Sequence, residues 1–309
     1  MKQYRYKMID ALVSKGEGIS KRYLTWHTRP IYAADVRVSS EDVVYEYLEF
    51  ALVMQGPLLA THHFTVETLL LYKKYFPGAL IILSTWEGED KDSLDRIKNT
   101  GIEVILNKKP VHAGPMNINF QLISAGVGIR RAAELEKKYV LKTRTDVRIY
   151  NFNSLLFLSR ILALFPLTDS DSGQKGRLVS IHGRTDKLYY FPDQLVFGYT
   201  EDVLLYFGAN LLANDAVVKC RDLALLPFHA EQYLFTEFLR KVGSPPACTI
   251  EDSSRALAQR GVIVDAPSLD WYWHKYKRYY EFRTLLYQPK KRFLDFSGWL
   301  NLYDQYGKQ

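Results

Sequence analysis

The residues of this sequence best suited to chemistry follow a short apolar run at positions 139–141. Lys142, Arg144 and Arg148 supply three cations around one carboxylate, Asp146. Charges at the tip of a buried strand are unfavourable unless a ligand or a partner compensates them. Asp146 could bind a divalent metal, Mg²⁺ or Mn²⁺, that neutralises a diphosphate, while Arg144 or Arg148 holds phosphate oxygens in a fork. The alternative is an ion-paired cluster that needs no ligand.

Two further apolar runs end in residues that suit a ligand. The first ends at Gln55-Gly56-Pro57, where the glycine lets the backbone approach a ligand and the proline fixes the turn. The second ends at Thr85-Trp86-Glu87, which offers an aromatic face for a base and a carboxylate for ribose hydroxyls. Trp86 is equally well explained as a buried residue at a strand end. The sequence contains no Gly-x-Gly-x-x-Gly and no Walker phosphate motif, so the classical dinucleotide and P-loop sites are disfavoured.

Strand and helix signals explain how these three sites could meet. Short apolar runs alternate with helix-length segments between about residues 48 and 143, which predicts βαβ units in a mostly parallel central sheet with helices on both faces. Ligands bind such sheets outside the carboxyl ends of the strands, where the three tips lie. Residues 1–45 are predicted to form a helical extension packed on the sheet. Residues 46–309 are predicted to form a single domain with halves at 46–150 and 151–309.

Composition restricts the class of protein and its compartment. The 309 residues are 47% hydrophobic and 24% charged, which excludes a disordered chain. The two cysteines, Cys220 and Cys248, cannot form a disulfide framework, and a reducing compartment is the simpler interpretation. No signal peptide and no apolar run of about 20 residues is visible. We therefore expect a soluble, cytoplasmic protein.

The net charge of +7 is concentrated near the end of the chain. Between Trp271 and Arg292, lysines and arginines are interleaved with tyrosine and tryptophan, a composition that favours an anionic partner. We expect peripheral contact with anionic lipid at the inner membrane face. The alternative is a solvated helix whose aromatic residues pack on the body of the protein. Nucleic acid is disfavoured because no recognised binding motif is present.

Together, several of these motifs resemble a known family. Gln55-Gly56-Pro57, the Ser84-Thr85-Trp86 tip, Asn117-x-Asn119-x-Gln121 and Lys142-Thr-Arg144-Thr-Asp146 look like the WavE-type lipopolysaccharide-synthesis family, over roughly residues 45–300. That family is held to be glycosyltransferases of the GT-A type, which implies a GT-A-like, Rossmann-related fold. In GT-A enzymes an Asp-x-Asp at this strand end binds metal and the diphosphate of the donor. Here Arg144 occupies the first acidic position, so Asp146 alone carries over and Arg144 could replace part of the metal's charge.

The resemblance also directs the search for a catalytic base. GT-A bases usually come from the acceptor half well after the metal motif, which favours Glu231 over Asp193 in this sequence. An inverting transfer needs such a carboxylate to take the proton of the acceptor hydroxyl, whereas a retaining transfer does not. Glu231 also opens a predicted helix, where the helix dipole by itself favours an acid.

These inferences combine into one expected function. A nucleotide-sugar donor would bind in the 46–150 half, and its sugar would pass to a glycan or lipid-linked glycan acceptor in the 151–309 half. The expected process is lipopolysaccharide or other surface polysaccharide synthesis. The alternative is a non-catalytic protein of the same fold that binds a nucleotide, nucleic acid or membrane.

Overall fold

A computed structural model describes residues 2–21, 23, 28–38, 46–168, 173–216, 229–276 and 293–308 of the chain. Contacts between residues group the chain into two units, Met1–Ile31 and Tyr32–Gln309. The first unit contains helix α1 (Lys2–Ser20), on which Met8, Leu12 and Ile19 are exposed. The remaining elements belong to the second unit. Its first residues contact helix α2 (Phe64–Tyr75), since the Ala33 backbone N–H donates to the Glu67 carboxylate at 2.9 Å.

Seven strands form the central sheet, in the order β3-β2-β1-β4-β8-β6-β9. They are β1 (Phe50–Gln55), β2 (Leu80–Trp86), β3 (Glu103–Asn107), β4 (Tyr139–Arg144), β6 (Leu178–Ile181), β8 (Val196–Tyr199) and β9 (Gly261–Val264). The pairs β3/β2, β2/β1, β1/β4 and β6/β9 are parallel, whereas β8 is antiparallel to both of its neighbours. Every residue of β1 is buried, as expected for a strand covered on both faces. The predicted mostly parallel α/β sheet is confirmed.

The other helices are α3 (Lys91–Lys98), α4 (Ile118–Glu134), α5 (Ser154–Leu164), α6 (Thr200–Tyr206), α7 (Ala230–Lys241), α8 (Ile250–Arg260) and α9 (Phe296–Leu302). Helix α4 lies closest to the sheet. A Cβ on its Gly128 would come within 2.5 Å of the Val53 side chain in β1 and 3.2 Å of Ser84 in β2. Glycine at this position therefore lets the helix approach the strands that carry two of the predicted ligand tips.

Two short ribbons complete the fold. Strand β5 (Val147–Ile149) pairs with β10 (Trp271–Trp273), and β7 (Gly183–Arg184) pairs with β11 (Phe293–Leu294), both antiparallel. Trp271 is buried and Trp273 bonds to Asp146, so both tryptophans contact the body of the protein. The cations from 277 to 292 lie outside the described residues, and their contact with lipid stays a prediction. Among the helices that the structure describes, none is long and apolar enough to cross a membrane.

The cysteines differ from the sequence-based expectation. Cys248 is disulfide-bonded, and Cys220, the other cysteine of the sequence, lies outside the described residues. The expectation of reduced thiols rested on the count and spacing of the cysteines, which do not show whether a thiol is oxidised.

Candidate active site

The tip of β4 holds an ion pair between Arg144 and Asp146 that is joined by two hydrogen bonds. Arg144 donates from Nε to Oδ1 of Asp146 at 2.8 Å and from Nη2 to Oδ2 at 3.1 Å, and the Trp273 indole donates to Oδ2 at 2.9 Å. Burial acts to raise the pKa of Asp146, but the bonds and charge of Arg144, with the Trp273 bond, outweigh it and hold that pKa below its ordinary value. Asp146 is therefore ionised and oriented at neutral pH.

This donor set does not fit a divalent metal. Both oxygens of Asp146 are engaged by N–H donors, and a guanidinium stands where a second carboxylate would help to neutralise the ion. Within the described ranges, no cluster of three or more His, Cys, Asp or Glu side chains is placed to hold a metal. The predicted metal role of Asp146 would require Arg144 to leave it first.

Lys142, two residues before Arg144, points into the protein rather than out of the tip. Its side chain is fully buried, its ammonium donates to the backbone carbonyl of Asp193, and it lies 4.7 Å from the centre of the Phe207 ring. Burial lowers the pKa of Lys142 to about 8, against the opposing charge of Asp193. Lys142 thus anchors the segment that carries Asp193, a different position from the donor contact expected from sequence.

Asp193 and Glu231, the two candidate bases, are brought together by the fold. Asp193 is 2% exposed, and its Oδ2 has no hydrogen-bond partner in the described part of the chain. Glu231, in the first turn of α7, accepts a bond from the Tyr190 hydroxyl at 3.0 Å. Burial and the negative charge of Asp193 raise the pKa of Glu231 to about 7.

The acid pair and the β4 tip belong to one electrostatic site. The positive charge of Arg144 acts on Glu231 and lowers its pKa. Lys142 in turn is influenced by Asp193, Asp146 and Glu231. Residues that are far apart in sequence therefore meet at the carboxyl end of β4, the region where an open parallel sheet binds its ligands.

The β1 tip lies beside Arg144, because Gln55 and Arg144 are in register on neighbouring strands. The Gln55 side chain accepts a bond from Ser124 of α4 at 2.7 Å. Gly56 has φ +119°, and a Cβ there would come within 2.9 Å of Thr145 Oγ1, so a glycine is required to bring the two tips together. Pro57, which follows, is exposed at the edge of the sheet.

The β2 tip is less open than its sequence suggested. Trp86 is buried, with its ring packed edge-on against Phe120 of α4 at 5.1 Å. Thr85 is also buried and bonds to Glu89 at 3.2 Å, while Glu87 is exposed. The alternative interpretation of Trp86 as a strand-end core residue describes this geometry, and Glu87 is the member of the three that faces solvent.

Arg148 lies inside the protein, away from the crevice. Its guanidinium donates to Thr68 Oγ1 at 2.8 Å, the Phe64 carbonyl at 3.1 Å and the Tyr150 hydroxyl at 3.1 Å. Its side chain is 1% exposed. Because the turn at 145–146 separates β4 from β5, the alternation of faces restarts there, and Arg148 does not share the environment of Arg144. The geometry gives no support to a phosphate contact by Arg148.

Two residues near Glu231 escaped the sequence reasoning. Tyr190 was not singled out, although it supplies the hydroxyl that orients Glu231. Arg184 was also missed, and its signal was visible: Arg184-Thr185-Asp186 repeats the Arg144-Thr145-Asp146 motif. A search for internal repeats of three residues would have found it.

Comparison with known proteins gives one family match. The model of the family described as WavE lipopolysaccharide synthesis matches residues 50–256, more than half of the chain. Comparison with curated proteins finds no significant match. Among solved structures, a cytidylyltransferase from Leptospira borgpetersenii serovar Hardjo-bovis aligns with 9% identity and a TM-score of 0.33, over 53% of this chain and 66% of that one. A 4-diphosphocytidyl-2C-methyl-D-erythritol synthase from Anaerococcus prevotii aligns with 11% identity and a TM-score of 0.33, over 54% and 78%.

Proposed function

Because the chain belongs to the WavE lipopolysaccharide synthesis family, we propose that it is a glycosyltransferase that builds a surface glycan. The donor is a nucleotide sugar, and the acceptor is a glycan or a lipid-linked glycan of lipopolysaccharide or another surface polysaccharide. The observation that carries this proposal is Glu231, a carboxyl whose pKa is raised to about 7 and which lies within the electrostatic influence of the Arg144 guanidinium. A base and an anion-binding cation in one crevice are the two groups that inverting sugar transfer requires.

In the proposed reaction, Glu231 takes the proton of an acceptor hydroxyl. The hydroxyl oxygen forms a bond to the anomeric carbon of the donor as the bond from that carbon to the diphosphate oxygen breaks. The nucleoside diphosphate leaves with the electron pair, and its charge is offset by Arg144. A base with a pKa near the working pH combines availability with proton-transfer driving force. The bond from Tyr190 fixes one oxygen of Glu231 and so orients the carboxylate.

The donor diphosphate is assigned to the edge shared by β1 and β4. Gln55, Gly56 and Pro57 supply the β1 side, where the absence of a side chain on Gly56 brings the backbone close to the β4 tip. Arg144 supplies the β4 side, and Asp146 holds its guanidinium in a fixed direction. No step of this proposal passes through a metal.

The second candidate function is binding of an anion without catalysis, and the feature that favours it is the Arg144–Asp146 ion pair. The Arg144–Asp146 pair is satisfied without a ligand, as it would be in a protein that binds an anion without turning it over. A buried acid with a raised pKa would have no task in such a protein, which is why we place transfer first.

The test separates donor binding from transfer. Nucleoside diphosphate release is measured from UDP-, GDP-, CDP- and dTDP-sugars with membrane-derived glycan acceptors, and diphosphate affinity is measured by calorimetry. Glu231→Gln should keep the affinity and lose about 10²–10⁴-fold in transfer. Glu237→Gln is the matched control, because it lies on the same helix with its carboxylate paired to Arg240 at the surface. Equal transfer by wild type and Glu231→Gln would remove Glu231 from the reaction. Failure of every nucleoside diphosphate to bind would refute the proposed function.

A further inference from the structure

A second Arg-Thr-Asp motif forms the same structure as the one at the β4 tip. Arg184, at the end of β7, donates from Nε to Oδ1 of Asp186 at 2.8 Å and from Nη2 to Oδ2 at 2.6 Å. Arg144 uses the same two nitrogens for Asp146. In both pairs the carboxylate binds the edge of the guanidinium formed by Nε and Nη2, and so fixes the direction of its remaining N–H groups.

Tyr190 connects this second pair to the candidate base. The guanidinium carbon of Arg184 lies 5.8 Å from the centre of the Tyr190 ring, and the Tyr190 hydroxyl donates to Glu231 at 3.0 Å. The hydrogen bond from Arg184 to Asp186 raises the pKa of Arg184, and the negative charge of Glu231 acts in the same direction. Glu231 therefore lies within the influence of two oriented arginines.

In the part of the chain that the structure describes, the end of Arg184 is partly exposed. The side chains of Arg184 and Asp186 are 34% and 28% exposed, and Nη1 of Arg184 has no hydrogen-bond partner in the described part of the chain. Lys187 also lies close, since its positive charge and that of Arg184 add to the effect of burial in lowering the pKa of His229, against the negative charge of Asp186. Nε2 of His229 is buried and also lacks a partner among the described residues.

The sheet separates the two arginines. Arg144 ends β4, while β7 follows β6, which lies two strands away across β8. The two arginines thus follow different strands of the fold. A ligand that reaches Arg184 therefore need not be the one that reaches Arg144.

We propose that Arg184 binds an anionic group, a carboxylate or a phosphate, on the acceptor saccharide next to the hydroxyl that Glu231 deprotonates. The proposal rests on the proposed function, because it takes Glu231 as the base. It names the acceptor class: a saccharide that carries negative charge close to its point of extension. Arg184 would bind that charge through Nη1, with Asp186 holding the guanidinium in place and Tyr190 linking it to the base.

The experiment measures saccharide binding without turnover. D-glucuronate, D-glucose 6-phosphate and D-glucose are titrated into the full chain by ligand-observed NMR, and UDP, GDP and CDP by calorimetry. A charge-assisted bond predicts that at least one anionic sugar binds about 10-fold or more tightly than glucose, and the two anionic arms distinguish carboxylate from phosphate. Arg184→Gln should abolish that preference and leave every nucleoside diphosphate affinity unchanged. Arg255→Gln is the matched control, because Arg255 also pairs with a carboxylate, Glu251, and lies over a tyrosine ring.

Three results would overturn the inference: equal binding of anionic and neutral sugars to wild type, an anion preference that survives Arg184→Gln, or a loss of diphosphate affinity in that variant. The last would move Arg184 to the donor site. Circular dichroism of Arg184→Gln checks that it is folded, and Arg184→Lys, which keeps the charge without the fork, should retain part of the preference. These readouts need no sugar transfer, so failure of the proposed function leaves them interpretable on their own.

Discussion

Replacing Glu231 by glutamine should make the protein more stable at alkaline pH while it removes transfer. The pKa of Glu231 is raised from its ordinary value of 4.5 to about 7 by burial and by Asp193. Between those two values the folded state binds more protons than the unfolded state, so the free energy of unfolding falls as the pH rises. Glutamine keeps the shape of the side chain and has no proton to lose, so it removes this penalty.

The magnitude follows from the change in pKa. Each pH unit corresponds to about 1.4 kcal/mol, so a rise from 4.5 to about 7 sets an upper limit of about 3 kcal/mol. Loss of a carboxylate from the first turn of α7 subtracts about 0.3–1 kcal/mol. We expect a net gain of about 2 kcal/mol near pH 8. Near pH 5 the folded carboxyl is protonated and most of the unfolded carboxyl is already ionised, so the remaining penalty is below about 1 kcal/mol and we expect little change.

Urea denaturation at both pH values measures this difference directly. Glu237→Gln serves as the control: it breaks a surface ion pair with Arg240, which changes stability by about 0–1 kcal/mol without an alkaline gain. If the stability gained relative to wild type increases from pH 5 to pH 8 no more for Glu231→Gln than for Glu237→Gln, Glu231 is not a base with a raised pKa, and the reasoning fails.

Three further predictions test the scaffold and the neighbouring assignments. Arg148→Met should lower the free energy of unfolding by at least about 2 kcal/mol, because two buried acceptors and the partly buried Tyr150 hydroxyl lose their donor. Weaker diphosphate binding at unchanged stability would restore its predicted ligand role. Gly128→Ala should destabilise the protein by about 1–3 kcal/mol through its clash with Val53, whereas Gly126→Ala, whose nearest neighbour is at 3.6 Å, should be neutral or stabilising by about 0.5–1 kcal/mol; equal effects would contradict the close approach of α4. A thiol-reactive dye should label no cysteine in the denatured, unreduced protein, since Cys248 is disulfide-bonded; labelling of both cysteines before reduction would support the sequence-based expectation of reduced thiols.

The sheet was predictable because its signals are local. Each of the first four strands is an apolar run bounded by turn residues, and the strand-tip residues follow from where those runs end. The direction of β8 was not predictable, because an isolated apolar run has the same pattern in either orientation.

The site was only partly predictable because its chemistry depends on contacts between distant segments. The Lys142–Asp146 motif identified the charged tip. Its spacing could not show that Asp146 would accept a hydrogen bond from Trp273, more than a hundred residues away in the sequence. Asp193 and Glu231 were each proposed alone as a base. Their meeting, which raises the pKa of Glu231, is a property of the folded chain.

The reversed direction of β8 has a consequence for how such a site can change over evolution. In a sheet whose strands all run the same way, the residues that precede a strand lie at the edge opposite to the ligand. Because β8 runs against β4, the segment before it, which contains Asp193, is delivered to the same edge as the Arg144 tip. Insertions or exchanges between β7 and β8 can therefore reshape this edge without disturbing the βαβ units that precede β4.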